Sequence, residues 1–414
     1  MKVAFVSQPW DTLRSPVSAG SIPIWTYEVA KRLTADRPLK CSVVIYARRS
    51  EGQLAQESVD AIEYRRVSVA GSKLCNAGCK AIAQLAPKFR YLSSRLYALP
   101  YFLRVALDIK QQQCDIVHIH NFSQAVPIIR ALNPNLKIVL HMHCEWLTQF
   151  DREMIAQRLS QCDLAVGCSD YITDKIKSRF PLFAQKCRRV YNGVDVAQFA
   201  AGSSAEASSV LFVGRISPEK GLHTLIAAFE RIAARFPHTQ LQIVGPNKPA
   251  SAEFITDLSE DPKVQELALL DPPNYLQHLR TQISEALATR ISFEGEVSHL
   301  QLQDYFRQAA LLVNPSFSEA FGMSLVEAMA SGVPVVATRV GGMVDVVEAQ
   351  ETGLLVLAGD VEALAAAMAR LLDDQMLRQT MGAKGRSRAE KTFAWEAIAA
   401  ELLTHYCKLM EKGT

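Results

Sequence analysis

Short apolar runs rich in β-branched residues alternate with stretches of helical periodicity along the whole chain. That alternation predicts parallel strands joined by crossover helices. KVAFVSQ (2–8), SVVIYA (42–47), DIVHIH (115–120), KIVLHMH (137–143) and DLAVGCS (163–169) read as strands of one sheet. SVLFVG (209–214), QLQIVG (240–245), RISFEG (290–295), LLVNPS (311–316) and PVVAT (334–338) read as strands of a second. Between the sets lies YNGVDVAQFAAGSSAEASS (191–209), rich in Gly, Ser and Ala, which reads as a linker. The expected architecture is therefore α/β, two doubly wound domains facing a cleft. Residues 1–192 form the first, 193–208 the linker and 209–390 the second, with 391–414 as a closing helical segment.

Two segments depart from the alternation. Residues 246–288 are long for one crossover and are cut by prolines at 246, 249, 262, 272 and 273, so they read as an insertion forming a flap or small subdomain. FAWEAIAAELLTHYCKLMEK (393–412) has apolar residues at helical spacing and reads as one amphipathic helix.

Composition narrows the classes. The chain has 414 residues and 49% apolar content, too long for a single core and too apolar for disorder. The net charge of +3 argues against a nucleic-acid binder. It hides an asymmetry: residues 1–192 carry 27 basic and 15 acidic side chains, net +12, and residues 193–414 carry 18 and 27, net −9. Nine scattered cysteines and a start that runs straight into VAFV point to the reduced cytoplasm. Cys75 and Cys79 are spaced CxxxC with no matching second pair, so they read as ordinary packing and no metal site is expected. No stretch reaches the roughly 18 to 20 uncharged apolar residues of a membrane span. In the basic half, Lys73, Lys80, Lys88, Arg90, Arg95 and Arg104 interleave with Phe89, Tyr91, Leu92, Leu96, Tyr97, Tyr101 and Phe102. That pattern suits peripheral contact with an anionic membrane at its inner face, or a lipid-linked acceptor, and equally a crossover helix pair with a solvated face.

Ligands of open α/β sheets sit beyond the carboxyl ends of the strands, so the residues that follow each run are the ones to read for chemistry. GRISPEKG (214–221) follows one strand, and Arg215 and Lys220 in it could hold a diphosphate. SEAFGMSLVEAMASGVPVV (318–336) follows another. A helix is expected from about Phe321 to Ala330, with Glu319 in the loop before it and Glu327 on its second turn. Eight residues at about 100° each leave the two carboxylates about 80° apart, able to point the same way. The amides of Gly322, Met323, Ser324 and Leu325 at the helix start are a candidate anion site.

These segments resemble the retaining glycosyltransferases of the GT-B architecture, family GT4. Glu319 and Glu327 match that family's E-x7-E pattern, and Arg215 and Lys220 its G-R-x(3-4)-K-G element. PVSAGSIPIWTYEVAKRL (16–33) resembles the family's glycine-containing first loop and helix, with Ala19-Gly20 in place of the double glycine. DIVHIHN (115–121), YNGVDVAQF (191–199) and TFAWEAIAAELLTHY (392–406) resemble its acceptor-side strand, its interdomain crossover and its terminal helix, which crosses back to the first domain. The resemblance implies that Arg215 and Lys220 neutralise the diphosphate of a nucleotide-sugar donor, that Glu319 holds donor-sugar hydroxyls and that Glu327 holds the ribose. Phe321 to Leu325 would offer amides, Gly20 would admit the diphosphate without a Cβ clash, and Val297 would meet the base through main-chain atoms. His143, at its strand's carboxyl end, corresponds to the histidine beside the reacting carbon, and His141 reads as structural. His120 is a weaker acceptor candidate.

No Asp-x-Asp run follows a strand, so neither a metal nor another cofactor is expected, and the implied reaction is front-face transfer with retention to a carbohydrate or lipid-linked hydroxyl. The rivals are a GT-B nucleotide-sugar epimerase and a catalytically silent sugar-nucleotide-binding partner protein. A dinucleotide-dependent dehydrogenase is disfavoured, because SQPWDTLRSP rather than G-x-G-x-x-G follows the first strand.

Overall fold

The computed structural model describes residues 1–13, 20–35, 41–85, 91–199, 209–249, 251–270 and 272–411. Most of the expected linker (200–208), the loop residues 14–19 before Gly20, and Lys88, Phe89 and Arg90 lie outside the described residues.

The chain divides into two compact units, one of residues 1–191 with 395–414 and the other of residues 192–394. In the first, β1 (Lys2–Val6), β2 (Ser42–Arg48), β3 (Gln56–Val59), β4 (Ile62–Val67), β5 (Ile116–His120), β6 (Lys137–Met142), β7 (Leu164–Gly167) and β8 (Cys187–Arg189) form one sheet in the order β3-β4-β2-β1-β5-β6-β7-β8. Only the β3–β4 pair is antiparallel. Helices cover both faces of such a sheet, so its inner strands are buried along their length and mostly apolar. Val3, Ala4, Phe5 and Val6 are fully buried, as are all five residues of β5.

The helix Trp395–Glu411 belongs to this first unit. Its buried residues Trp395, Ile398, Ala399, Leu402, Leu403 and Tyr406 recur at three- and four-residue spacing and form one stripe. The stripe lies against the helix Ser21–Ala35, where Arg32 meets Glu396 at 2.8 Å. Arg189 at the end of β8 meets Glu401 at 3.4 Å.

The second unit holds β9 (Ser209–Val213), β10 (Gln240–Val244), β11 (Ile291–Gly295), β12 (Ala309–Asn314), β13 (Val335–Thr338) and β14 (Gly353–Val356), ordered β11-β10-β9-β12-β13-β14. Every pairing is parallel. The order reverses at β9, which lies between β10 and β12, so the loops after β9 and β12 leave the sheet side by side. The insertion is built into this unit. Its Tyr275, Leu279 and Leu287 join the core, and the Tyr275 hydroxyl accepts the His223 backbone N–H at 3.1 Å.

Candidate functional site

The loop after β9 is held to the loop after β12 by backbone contact. Phe317 N–H donates to the Glu219 carbonyl at 2.8 Å. Gly221 sits at φ +69°, and a Cβ there would stand 2.2 Å from the Pro315 carbonyl oxygen, so only glycine permits the approach. Within the first loop Glu219 is buried, and its carboxylate is bound by the Ser217 hydroxyl and by Arg215 Nη2 at 3.1 Å. Arg215 is thereby aimed while its side chain stays 44% exposed.

Lys220 crosses from one loop to the other, its Nζ 2.6 Å from Glu319 Oε2. Burial pushes the Glu319 carboxyl up, but the Lys220 ammonium, the Phe321 N–H and Arg215 outweigh it and hold the group below the usual carboxylate value. The backbone of Glu319 is fixed as well. Its carbonyl accepts the Gly342 N–H at 3.1 Å, and a Cβ on neighbouring Gly341 (φ +54°) would stand 1.7 Å from that oxygen.

The helix that follows runs Met323–Ala330, two residues shorter at its start than the periodicity predicts. Gly322, at φ +100°, is its N-cap and has no side chain to satisfy the first turn. The expected amide set is corrected at both ends. Leu325 N–H turns back onto the Gly322 carbonyl at 3.0 Å, and Phe321 N–H points at Glu319 Oε1 at 3.4 Å. Met323 and Ser324 head the helix as its first-turn donors. Phe321 is buried edge-on to Phe393, with centroids 5.7 Å apart, so its side chain has a packing role.

Glu327 lies on the second turn of this helix, nearly fully buried. Its Oε1 is 2.8 Å from Nε2 of His299, a residue of the loop after β11 that also carries Val297. Phe199 packs edge-on against the His299 ring at 5.4 Å, and Gln198 Nε2 donates to its carbonyl at 3.2 Å. Neither His299 nor Glu219 was expected to matter. Each stood in the sequence as a polar residue just past a strand end, and its partner is known only from the fold. Because a hydrogen bond to a charged group is worth about 1.5 to 3 kcal/mol, His299→Ala is expected to weaken binding of whatever Glu327 holds by roughly tenfold or more. Titration calorimetry with nucleoside diphosphates checks this, and unchanged affinity would argue against the role.

In the first unit, Gly20 sits at φ +86° before the helix Ser21–Ala35 and accepts the Ile24 N–H at 3.0 Å. Four histidines gather beneath that helix. The β5–β6 register sets His120 beside His141 and leaves His118 and His143 one pleat away on either strand. His118 Nε2 is 3.1 Å from His141 Nδ1, and His120 Nδ1 is 3.0 Å from His143 Nε2. The Trp25 ring packs against all four.

Hydrogen-bond direction along this network can be followed from Thr26. Its hydroxyl proton goes to the Ile22 carbonyl at 2.8 Å, so its oxygen accepts from His120 Nε2 at 3.1 Å. His120 Nδ1 then has only a lone pair, and His143 Nε2 must carry the proton. His143 thus presents its Nε2–H to His120, and the Asn121 side-chain oxygen accepts its backbone N–H at 2.7 Å. His120 is fully buried with both nitrogens engaged, so the expected acceptor contact is corrected: this ring orients His143.

Nitrogens of His118, His120 and His141 lie within 4.8 Å of one another, the one such histidine, cysteine or carboxylate group found among the described residues. They fit a metal poorly. His118 spends Nδ1 on the Tyr406 hydroxyl at 2.7 Å and Nε2 on His141, while His120 is engaged as described. Among the described residues no helix is long and apolar enough to cross a membrane.

Two doubly wound sheets, with a cation and carboxylate cluster where the second changes strand order, define a two-domain α/β protein built to take a ligand beyond its strand ends. Residues 196–388 match the family model for glycosyl transferases group 1, and residues 23–198 match that for glycosyltransferase family 4. The chain belongs to the family 4, group 1 glycosyltransferases, with the GT-B fold.

It is 29% identical over 300 residues to a glycogen synthase of Mycobacterium tuberculosis, covering 69% of this chain and 66% of that protein. It is 35% identical over 200 residues to a D-inositol 3-phosphate glycosyltransferase of Corynebacterium glutamicum, covering 48% and 42%. Among solved structures, sucrose-phosphate synthase from Thermosynechococcus elongatus superposes with a TM-score of 0.74 at 23% identity, covering 99% of each chain. Anabaena Alr3699/HepE in complex with UDP and glucose superposes with a TM-score of 0.69 at 19% identity, covering 99% of this chain and 100% of that one.

Proposed function

We propose that the protein is a retaining, metal-independent hexosyltransferase that moves a sugar from a UDP- or GDP-sugar to a hydroxyl of a carbohydrate or lipid-linked acceptor. The observation that carries this reading is the Lys220–Glu319 pair, with Arg215 beside it, on the two loops flanking the second sheet's reversal point. Loss of a nucleoside diphosphate develops negative charge on the leaving oxygen, and preorganised cations stabilise that charge. Lys220 and Arg215, already aimed by Glu319 and Glu219, offer the ammonium and guanidinium donors through which a diphosphate is held without a divalent ion. Met323 and Ser324 add amide donors at the helix start.

Glu319, kept ionised by Lys220, is suited to accept hydrogen bonds from sugar hydroxyls. The same pairing dulls it as a nucleophile, which favours front-face transfer over a covalent glycosyl intermediate. Departing phosphate oxygen would then take the acceptor proton. Glu327, oriented by His299, holds the ribose, Val297 meets the base, and Gly20 admits the diphosphate on the first unit's side. His143 contributes a ring of fixed orientation beside the sugar. Residues 1–191 accordingly take the acceptor role and 192–394 the donor role.

The test begins with a thermal-shift panel of UDP-, GDP- and ADP-sugars, in which the true donor raises the melting temperature by mass action. Proton NMR of the product then reads the anomeric configuration, with chelator present throughout. An inverted product, or activity abolished by chelation, would overturn the corresponding part of the proposal. Acceptor-independent epimerisation of the donor would favour an isomerase instead.

A further inference from the structure

From Tyr64 to Leu107 the chain runs 44 residues without an Asp or Glu while carrying eight Lys and Arg. The carboxylates that bound the run are both engaged by Arg65, Glu63 at 2.7 Å and Asp108 at 2.6 Å. Two helices occupy most of its described part, Ser72–Leu85 and Leu99–Gln111. They are tied at one end, where the Ala98 N–H donates to Asn76 Oδ1 at 2.9 Å and Arg104 Nη1 donates to the Ser68 and Ala70 carbonyls at 2.7 and 3.0 Å.

The second helix already has a complete inner face: Tyr101, Phe102, Val105, Ala106 and Ile109 are buried. Leu103 and Leu107, four residues apart on its outer side, are nevertheless 39% and 52% exposed, and Leu74 on the first helix is 81% exposed. Lys73, Lys80 and Lys110 are exposed beside them. An ordinary solvated crossover helix mixes carboxylates with its lysines. This face instead offers hydrocarbon and positive charge together, the pairing that binds the interface of a bilayer bearing negative lipid.

We propose that the outer face of these two helices docks the protein on an anionic lipid bilayer. Charge alone would suit any polyanion. The outward leucines favour lipid, because a bilayer interface buries an aliphatic side chain in hydrocarbon, which the charged and hydrated backbone of a nucleic acid or acidic glycan does not. The inference stands apart from the transferase reading, since its assay requires neither donor nor acceptor.

The experiment is co-sedimentation of the full chain with vesicles of equimolar phosphatidylglycerol and phosphatidylcholine, against vesicles of phosphatidylcholine alone. Binding is expected only to the anionic vesicles and is expected to weaken at high salt. Each interfacial cation contributes about a fivefold factor, so Lys73→Ala/Lys80→Ala is expected to reduce vesicle affinity about thirtyfold. Leu103→Ser/Leu107→Ser is expected to reduce it at least about tenfold while leaving the net charge unchanged. All four positions are exposed, and an unchanged melting temperature confirms that each variant folds. Failure of the wild type to sediment overturns the proposal. So does full binding by the leucine variant together with competition by polyuridylic acid, which would mark a general polyanion surface.

Discussion

Lys220→Ala and Arg215→Ala are each expected to lower turnover about 10²- to 10³-fold, the usual consequence of removing one preorganised donor to developing charge. Two features of the loop make the Lys220 variant the more informative. Its ammonium neutralises Glu319 at 2.6 Å, so its loss leaves a largely buried carboxylate without its main partner. The Glu319 pKa should then rise, and with it the acid limb of the pH–rate profile, because activity needs that carboxylate ionised. Lys220→Arg restores the charge and should restore the limb before it restores the rate. Arg215 bonds Glu219 from a half-exposed position and is the weakest of the groups that hold Glu319 down, so Arg215→Ala should lower the rate while moving the limb less than Lys220→Ala does. Near-normal turnover in both alanine variants would remove the cationic site from the mechanism, and equal pH profiles would show that Lys220 does not set the state of Glu319.

How much of this was visible beforehand follows from the physics of each element. Strands buried on both faces are continuous apolar runs, so β1, β2, β5, β6, β9, β10, β12 and β13 stand out in the sequence. β3 (QESV) does not, because it is an exposed edge strand and has no apolar set to show. β4 (IEYRRV) alternates inward and outward with Glu63 and Arg65 on its outer side and Arg66 on its buried one, and β8 and β14 are only three and four residues long. The helix Met323–Ala330 begins late because Gly322 adopts a left-handed conformation that periodicity cannot register.

The site divides in the same way. Arg215, Lys220 and Glu319 could be found because each follows a strand and the strand-end rule needs no tertiary knowledge. That Lys220 and Glu319, 99 positions apart, share an ion pair depends on β9 lying next to β12, which comes only from the sheet order. Glu219, His299 and Thr26 act through partners brought in by the fold, and the sequence offers no sign of them. The burial of His120 was hidden for a related reason. HIH and HMH show two histidines per strand on one face, and only the helices Ser21–Ala35 and Trp395–Glu411, supplying Trp25, Thr26 and Tyr406, turn that face into an enclosed network.

The enclosure makes the first unit expectedly fragile in acid. Burial drives the pKa of His118, His120 and His141 well below 6.5, and positive charge on His143 lowers all three further, so the native unit holds them neutral. Unfolded, each takes a proton as pH falls through 6.5, and the unfolded state then binds three more protons than the native one. Stability is therefore complete above that pH and lost below it, toward a limiting slope of about 4 kcal/mol per pH unit if the three protons acted alone. Asp11 opposes this: burial raises its carboxyl to about 6, so below that pH the native state gains a proton the unfolded chain has yet to bind. With both counted, the net slope steepens gradually as pH falls and levels off near two protons, about 2.7 kcal/mol per unit. The protein's four tryptophans, Trp10, Trp25, Trp146 and Trp395, all belong to the first unit, so urea unfolding followed by tryptophan fluorescence reads it alone. Unfolding free energies at pH 7.5, 6.25 and 5.5 should show a shallower upper interval and a steeper lower one, and His118→Phe should reduce the slope of the lower interval by up to about one proton. A slope below one proton throughout would mean that the rings already carry charge in the native protein, and the hydrogen-bond direction drawn from Thr26 through His120 to His143 would fall with it.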